Sequence, residues 1–118
     1  MQSRPYEKLV VWQEAHALCL KIYHVTKIFP KDETFALTSQ MRRAAYSVPM
    51  NIVEGNARAS KKEHLHFMEF SRGSLEELHY QCTLAHALGY LQKSDLEQLH
   101  SAIGRVGFLL QKLKASLL

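Results

Sequence analysis

The chain has 118 residues, 47% of them hydrophobic, which suits one modest core and excludes a disordered polymer. A formal net charge of +4 and a pI of about 9.2 are compatible with a nucleic-acid partner without establishing one. No apolar run is long enough to span a bilayer, and the N-terminal MQSRPYEKL lacks a signal-peptide core, so a cytoplasmic location is expected.

Glycine and proline are scarce and no alternating β-branched run occurs, which favours an all-α fold. The periodicity predicts four helices, at about 7–29, 33–57, 61–88 and 95–117. In the first, Val11, Ala15, Leu18, Ile22, Val25 and Phe29 recur at helical spacing as one bundle-facing seam, and Phe29-Pro30 ends it. Asp32 is a plausible N-cap for the second, with an irregular turn between Thr34 and Thr38 before its regular part. Pro49 removes a backbone donor inside that helix, so a kink is expected there. Ser60 to Glu63 forms a capping-box pattern that opens the third helix. Its expected core side includes Phe67, Phe70, Ser74, Leu78, Ala85 and Leu88, and Gly89 is a natural C-terminal stop. Ser94 to Glu97 is a second capping box, before a seam of Leu96, Leu99, Ile103, Val106, Leu110, Leu113 and Leu117. Cys19 and Cys82 lie within apolar patterns and read as buried free thiols of a reducing compartment. Short connections make consecutive helices antiparallel neighbours. The expected architecture is a single-domain, up-down-up-down antiparallel four-helix bundle spanning 1–118.

The second helix carries two rows. Leu37, Met41, Ala44, Val48 and Ile52 form an apolar row, beside a polar row of Gln40, Arg43, Ser47, Asn51, Glu54 and Arg58. On the third helix, Ser74 and Glu77 continue a largely apolar row, so Glu77 is expected against the bundle, where its carboxylate needs a partner. Arg43 or Arg42 is the natural candidate. The row therefore predicts a polar network of Arg43, Asn51, Glu54 and Glu77 between the second and third helices, or across a subunit contact. Gly73, in mid-helix, is expected to face Ala44, Ala45 and Ser47 and to let the two helices approach closely.

The order Leu9-x-x-Trp12, Phe29-Pro30, the block from Leu37 through Gln40, Arg42-Arg43-Ala44-Ala45, Ser47-Val48-Pro49 and Asn51-Ile52-Val53-Glu54-Gly55, then Arg58-x-Ser60 and Gly73-Ser74-x-x-Glu77, resembles the intervening-sequence proteins of large-subunit ribosomal RNA. The resemblance covers nearly the whole chain. It implies a four-helix bundle, assembly into a homopentameric ring and no established enzymatic activity. A distantly similar protein assists reverse transcription, where it binds nucleic acid and the polymerase.

Other chemistries have weaker support. Glu-x-x-His occurs at Glu63/His66, Glu76/His79 and Glu97/His100, the spacing used by di-iron bundles. The first two lie about 20 Å apart along one helix and so cannot serve one metal pair. No nucleophile motif or glycine-rich phosphate loop is present, so neither an enzyme nor a cofactor is expected. Trp12 and the tyrosines read as core and interface residues. The bundle topology collects Arg4, Lys8, Arg58, Lys61, Lys62, Lys112 and Lys114 at one end, against Glu7 and Glu63. The other end mixes Lys27, Lys31 and Lys93 with Asp32, Glu33, Asp95 and Glu97. The expected function is a non-enzymatic module binding RNA or DNA through its basic end, by phosphate and shape, since no single-strand stacking platform is visible. The alternative is a protein-interaction scaffold without a nucleic-acid role.

Overall fold

The computed structural model describes residues 3–118. Four helices follow in order: α1 (Val10–Val25), α2 (Leu37–Asn56), α3 (Lys61–Ala87) and α4 (Lys93–Leu117). Each packs on its neighbour in sequence, and α1 closes the bundle against α4. The described residues contain no strand. The all-α, up-down-up-down four-helix bundle read from periodicity is the observed architecture.

The ends of the first helical region tighten into 3₁₀ turns, Pro5–Lys8 before α1 and Thr26–Ile28 after it. Its seam from Val11 to Phe29 is buried throughout, as is the middle of the α4 seam, Leu99, Ile103, Val106 and Leu110. These seams, with Met41, Ala44, Ala45, Val48 and Ile52 of α2, make one apolar core. Both cysteines are free and buried in it, and burial pushes the Cys82 thiol up to about 12.

The third helix starts at Lys61 as read from the sequence, but the helix starts differ from that reading in several details. Lys31–Glu33 is a separate 3₁₀ turn, and α2 begins only at Leu37. Ala36, not Asp32, is the N-cap residue and has no side-chain cap; Glu33 instead accepts the free Leu37 N–H at its Oε1 (3.3 Å), while its Oε2 accepts the Tyr90 hydroxyl (2.9 Å). Ser60 caps α3 by accepting the Glu63 N–H (3.0 Å), but the return bond from the Glu63 carboxylate is not made. The Ser94–Glu97 pattern does not open α4, which starts at Lys93 with Gln92 at the N-cap. A capping box specifies local hydrogen bonds, and the chain leaving Gly89 reaches helical geometry before Ser94. At the end of α3 the pattern holds: Gly89 has φ 83°, Tyr90 N–H bonds to Ala85 O (2.9 Å), and Gly89 N–H bonds to His86 O (3.0 Å). This is a Schellman stop, and the left-handed φ is why glycine stands there.

The core face of α3 is rotated from the expected one. Met68, Ser71, Leu75, Leu78, Cys82 and Ala85 are buried, whereas Phe70 and Leu88 are about half exposed. Ser71 tolerates burial because its hydroxyl donates to Val48 O in α2 at 2.8 Å. That carbonyl precedes Pro49, which α2 carries within an unbroken helix.

Gly73 does not mediate a close approach. A Cβ added there meets nothing within 4 Å. The close approach is at Gly55, where an added Cβ falls 2.9 Å from the Phe67 Cβ and 3.1 Å from the His64 ring. Gly55 continues the buried row Met41, Ala45, Val48, Ile52 at helical spacing, whereas Gly73 lies off the row Ser71, Leu75, Leu78.

Gly55→Ala is therefore expected to destabilise the fold by about 1–3 kcal/mol through overpacking against backbone-anchored atoms. Gly73→Ala should be neutral or stabilising by up to about 1 kcal/mol, because helix propensity is then the only difference. Urea denaturation of the two variants checks both signs.

Candidate nucleic-acid interface

The antiparallel order brings the start of α1, the end of α2, the start of α3 and the end of α4 to one end of the bundle. All seven cations assigned to that end are on the surface or at its margin. Arg58, in the α2–α3 turn, is held by Glu54 (3.6 Å) and lies over the Phe67 ring at 4.6 Å. Lys114 reaches Glu69 Oε1 (3.4 Å), whose other oxygen accepts from Arg72 (3.0 Å). Arg72 first, and then Lys114, hold the Glu69 carboxyl below the usual range. Lys112 sits above the Phe108 ring at 5.7 Å. Arg4, Lys8, Lys61, Lys62 and Lys112 form no ion pair among the described residues. Exposed ammonium groups without carboxylate partners keep their hydration and counterions, which a polyanion can displace.

The polar row of α2 divides. At its centre Asn51 Nδ2 donates to Ser47 O (2.8 Å) and Ser47 Oγ (3.0 Å), and Ser74 of α3 donates to Ser47 Oγ (2.9 Å). This short-chain cluster bridges α2 and α3. The wider network does not form within the chain. Gln40 and Arg43 are exposed and their side chains bond to no described residue; Glu54 turns along its own helix to Arg58. Glu77 is exposed and, among the described residues, accepts only from Gln81 Nε2 (3.3 Å), so it does not need the partner that burial would demand. The reason is geometric: the row runs along the rim of the α2–α3 contact, where only short side chains stay at the seam. Arg42 lies on the other flank. Its Nε donates to Thr26 Oγ1 (2.9 Å), its Nη2 to Tyr23 O (3.3 Å), and its guanidinium covers the Tyr23 ring at 4.8 Å.

Among the described residues two buried side-chain polar atoms lack hydrogen-bond partners, Gln81 Oε1 and His64 Nε2. Gln81 is 7% exposed. Sequence reading placed Gln81 in the row of Ser74 and Glu77 without marking it as buried, and assigned His64 no role.

An aromatic row also escaped it. Tyr6 meets Trp12 edge to face (5.0 Å, 68°), and Trp12 stacks on His16 (4.9 Å, 7°). The rings lie at i and i+4 on α1, with Tyr6 folded back by the 3₁₀ turn. Of the Glu-x-x-His pairs, His79 and His100 come together across α3 and α4 as stacked rings 3.8 Å apart. Among the described residues no group of three or more His, Cys, Asp or Glu side chains is placed to hold a metal ion. No helix is long and apolar enough to cross a membrane.

A family model described as 23S rRNA-intervening sequence protein matches residues 7–112. Among solved structures the chain is similar to a protein of unknown function from the S23 ribosomal protein family of Bacteroides thetaiotaomicron VPI-5482. The TM-score is 0.83 at 18% identity, covering 89% of this chain and 98% of that one. No curated protein matches the sequence.

Desolvation lowers the His64 pKa from its ordinary value. On acidification the unfolded chain therefore takes up this proton first. The cost to the fold is absent above the usual histidine range and grows as pH falls through it. Urea midpoints should drop between about pH 7.5 and 5.5. His64→Gln, which does not titrate, should show a smaller drop.

Proposed function

The chain belongs to the 23S rRNA-intervening sequence protein family, and from that premise we propose that it is a non-enzymatic module that binds RNA through the basic end of its bundle. The observation that carries this reading is the set of cations without an ion pair among the described residues, Arg4, Lys8, Lys61, Lys62 and Lys112, collected at one end. The other end places Asp32, Glu33, Asp95 and Glu97 among its lysines and offers a polyanion far less. Phosphates respond to the number of cations presented together, so binding should be driven by counterion release and by shape. Assembly of several copies into a cyclic homo-oligomer, a pentamer by the resemblance, would multiply that surface.

A second reading is favoured by the outer face of α2 and α3. Arg43 and Glu77 extend from it with no ion pair among the described residues, and Phe70 is 49% exposed. Those features suit a protein contact, with another copy or with a different partner, and support a scaffold role with no nucleic acid involved. Native mass spectrometry with and without Arg43→Glu tests it: a ring held by this face should dissociate in the variant.

For the leading reading, RNA affinity should fall linearly with salt on logarithmic axes. The slope should be about −3 to −4 per protomer if Arg4, Lys8, Lys61, Lys62 and Lys112 each meet a phosphate of a single strand. Lys61→Glu with Lys62→Glu should flatten that slope by about 1 to 2 and leave the thermal melt unchanged, since both side chains are exposed. Absence of binding at low salt would overturn the proposal.

A further inference from the structure

Between the 3₁₀ turn and the last turns of α2 lies a cavity of about 420 Å³, lined by Arg4, Pro5, Tyr6, Val53, Asn56 and Ala57. We propose that this groove takes one unpaired nucleobase, a purine in preference to a pyrimidine, from a single-stranded nucleic acid whose phosphates lie on the basic end. The inference rests on the RNA-binding reading and names the form of nucleic acid and the place where a base is read.

The chemistry of the walls supports this occupant. Tyr6, the Pro5 ring and Val53 present apolar and aromatic surface, which accepts the face of any base. The Asn56 side chain makes no hydrogen bond to a described residue and is only half-buried, so both its donor and its acceptor are available. An amide of that kind pairs in two places with the edge of adenine, through N6 and N7. Arg4 stands at the rim with no ion pair among the described residues, in the right place for the phosphate next to the bound base. Arg58 and Lys61 follow Asn56 within a few residues and continue the cationic path.

Contacts within the chain fix the 3₁₀ turn that forms one wall of the groove. Arg4 N–H donates to Glu7 Oε1 (3.0 Å), Glu7 N–H to Arg4 O (3.1 Å), and Gln13 Nε2 to Glu7 O (2.9 Å). Pro5 fixes its own φ, and Trp12 braces the Tyr6 ring at 5.0 Å. A wall already ordered loses little entropy when a base enters. A duplex keeps its bases paired and stacked, and so reaches only the cations.

Trp12 is the one tryptophan of the chain and touches Tyr6, so its emission reports on the groove. The experiment titrates the protein with oligoadenylate, oligouridylate and an RNA duplex of equal length, following Trp12 fluorescence and, separately, anisotropy of labelled RNA. Oligoadenylate should change the Trp12 emission and bind more tightly than oligouridylate; the duplex should bind without that change. Tyr6→Leu and Asn56→Ala should each weaken oligoadenylate by about tenfold, leaving duplex affinity and the salt slope unaltered. Tyr6→Phe should bind like the wild type. If Tyr6→Leu disturbs folding by circular dichroism, Asn56→Ala decides. Nucleic-acid binding that neither variant alters, or that both weaken equally for duplex and single strand, overturns the groove and leaves the basic end standing. No binding of any RNA at low salt overturns both.

Discussion

The missing side chain of Gly55 sets how closely α3 lies on α2, and much of the surface follows from that contact. With Phe67 Cβ 2.9 Å and His64 3.1 Å from where a Cβ would stand, any larger residue must push the helices apart. The same register brings Ser71 to Val48 O and Ser74 to Ser47, so two hydrogen bonds lock the pair at different heights. Both are short-range and directional, and neither would form after a one-turn slip. The turn between the helices is thereby fixed, and with it the place of Arg58, Lys61 and Lys62. Arg58 over the Phe67 ring is a direct product of this approach.

Electrostatics divides the molecule by depth. The ion pairs of the described residues are all on the surface, where water shares the work of stabilising charge. Inside, the chain uses neutral hydroxyl and amide groups: Thr26 bonds to Ile22 O, Ser71 to Val48 O, and Asn51 to Ser47. Charged groups at those places would have needed full pairing to offset desolvation. An inter-helix Arg–Glu network was therefore unnecessary to hold α2 on α3. Of the charged members of the polar row, Glu54 and Arg58 pair with each other, and Arg43 bonds to no described residue and faces outward.

The two ends of the bundle differ for the same reason. At the far end Glu33 is engaged in structure, accepting a free N–H of α2 and the Tyr90 hydroxyl, while Asp32, Asp95 and Glu97 stand among the lysines. At the basic end Glu7 is likewise spent on the backbone of Arg4, and Glu54 and Glu69 each hold a cation at its margin. What remains is an excess of lysine and arginine that pair with no described carboxylate, beside a groove lined by Tyr6. Charge by itself selects no sequence, whereas a groove adds shape to the same end of the bundle.

Periodicity alone determined the four helices, the seams of α1 and α4, the apolar row of α2 and the glycine stop after α3. Each depends on residues three or four apart, whose relation a helix fixes without help from the rest of the chain. The family, too, was legible, because its central block is local and ungapped. The face of α3 was not: Ser71 and Gln81 in the buried row weaken its apolar signal, while Phe67, Phe70 and Leu88 strengthen a neighbouring one. Burial of those two polar groups makes sense only once α2 is beside them. The roles of Gly55 and Gly73, the exposure of Glu77, the stacking of His79 on His100 and the groove between Tyr6 and Asn56 were decided by packing. All of these are relations between residues far apart in the chain, and no local spacing encodes how two helices rotate and slide until their side chains meet.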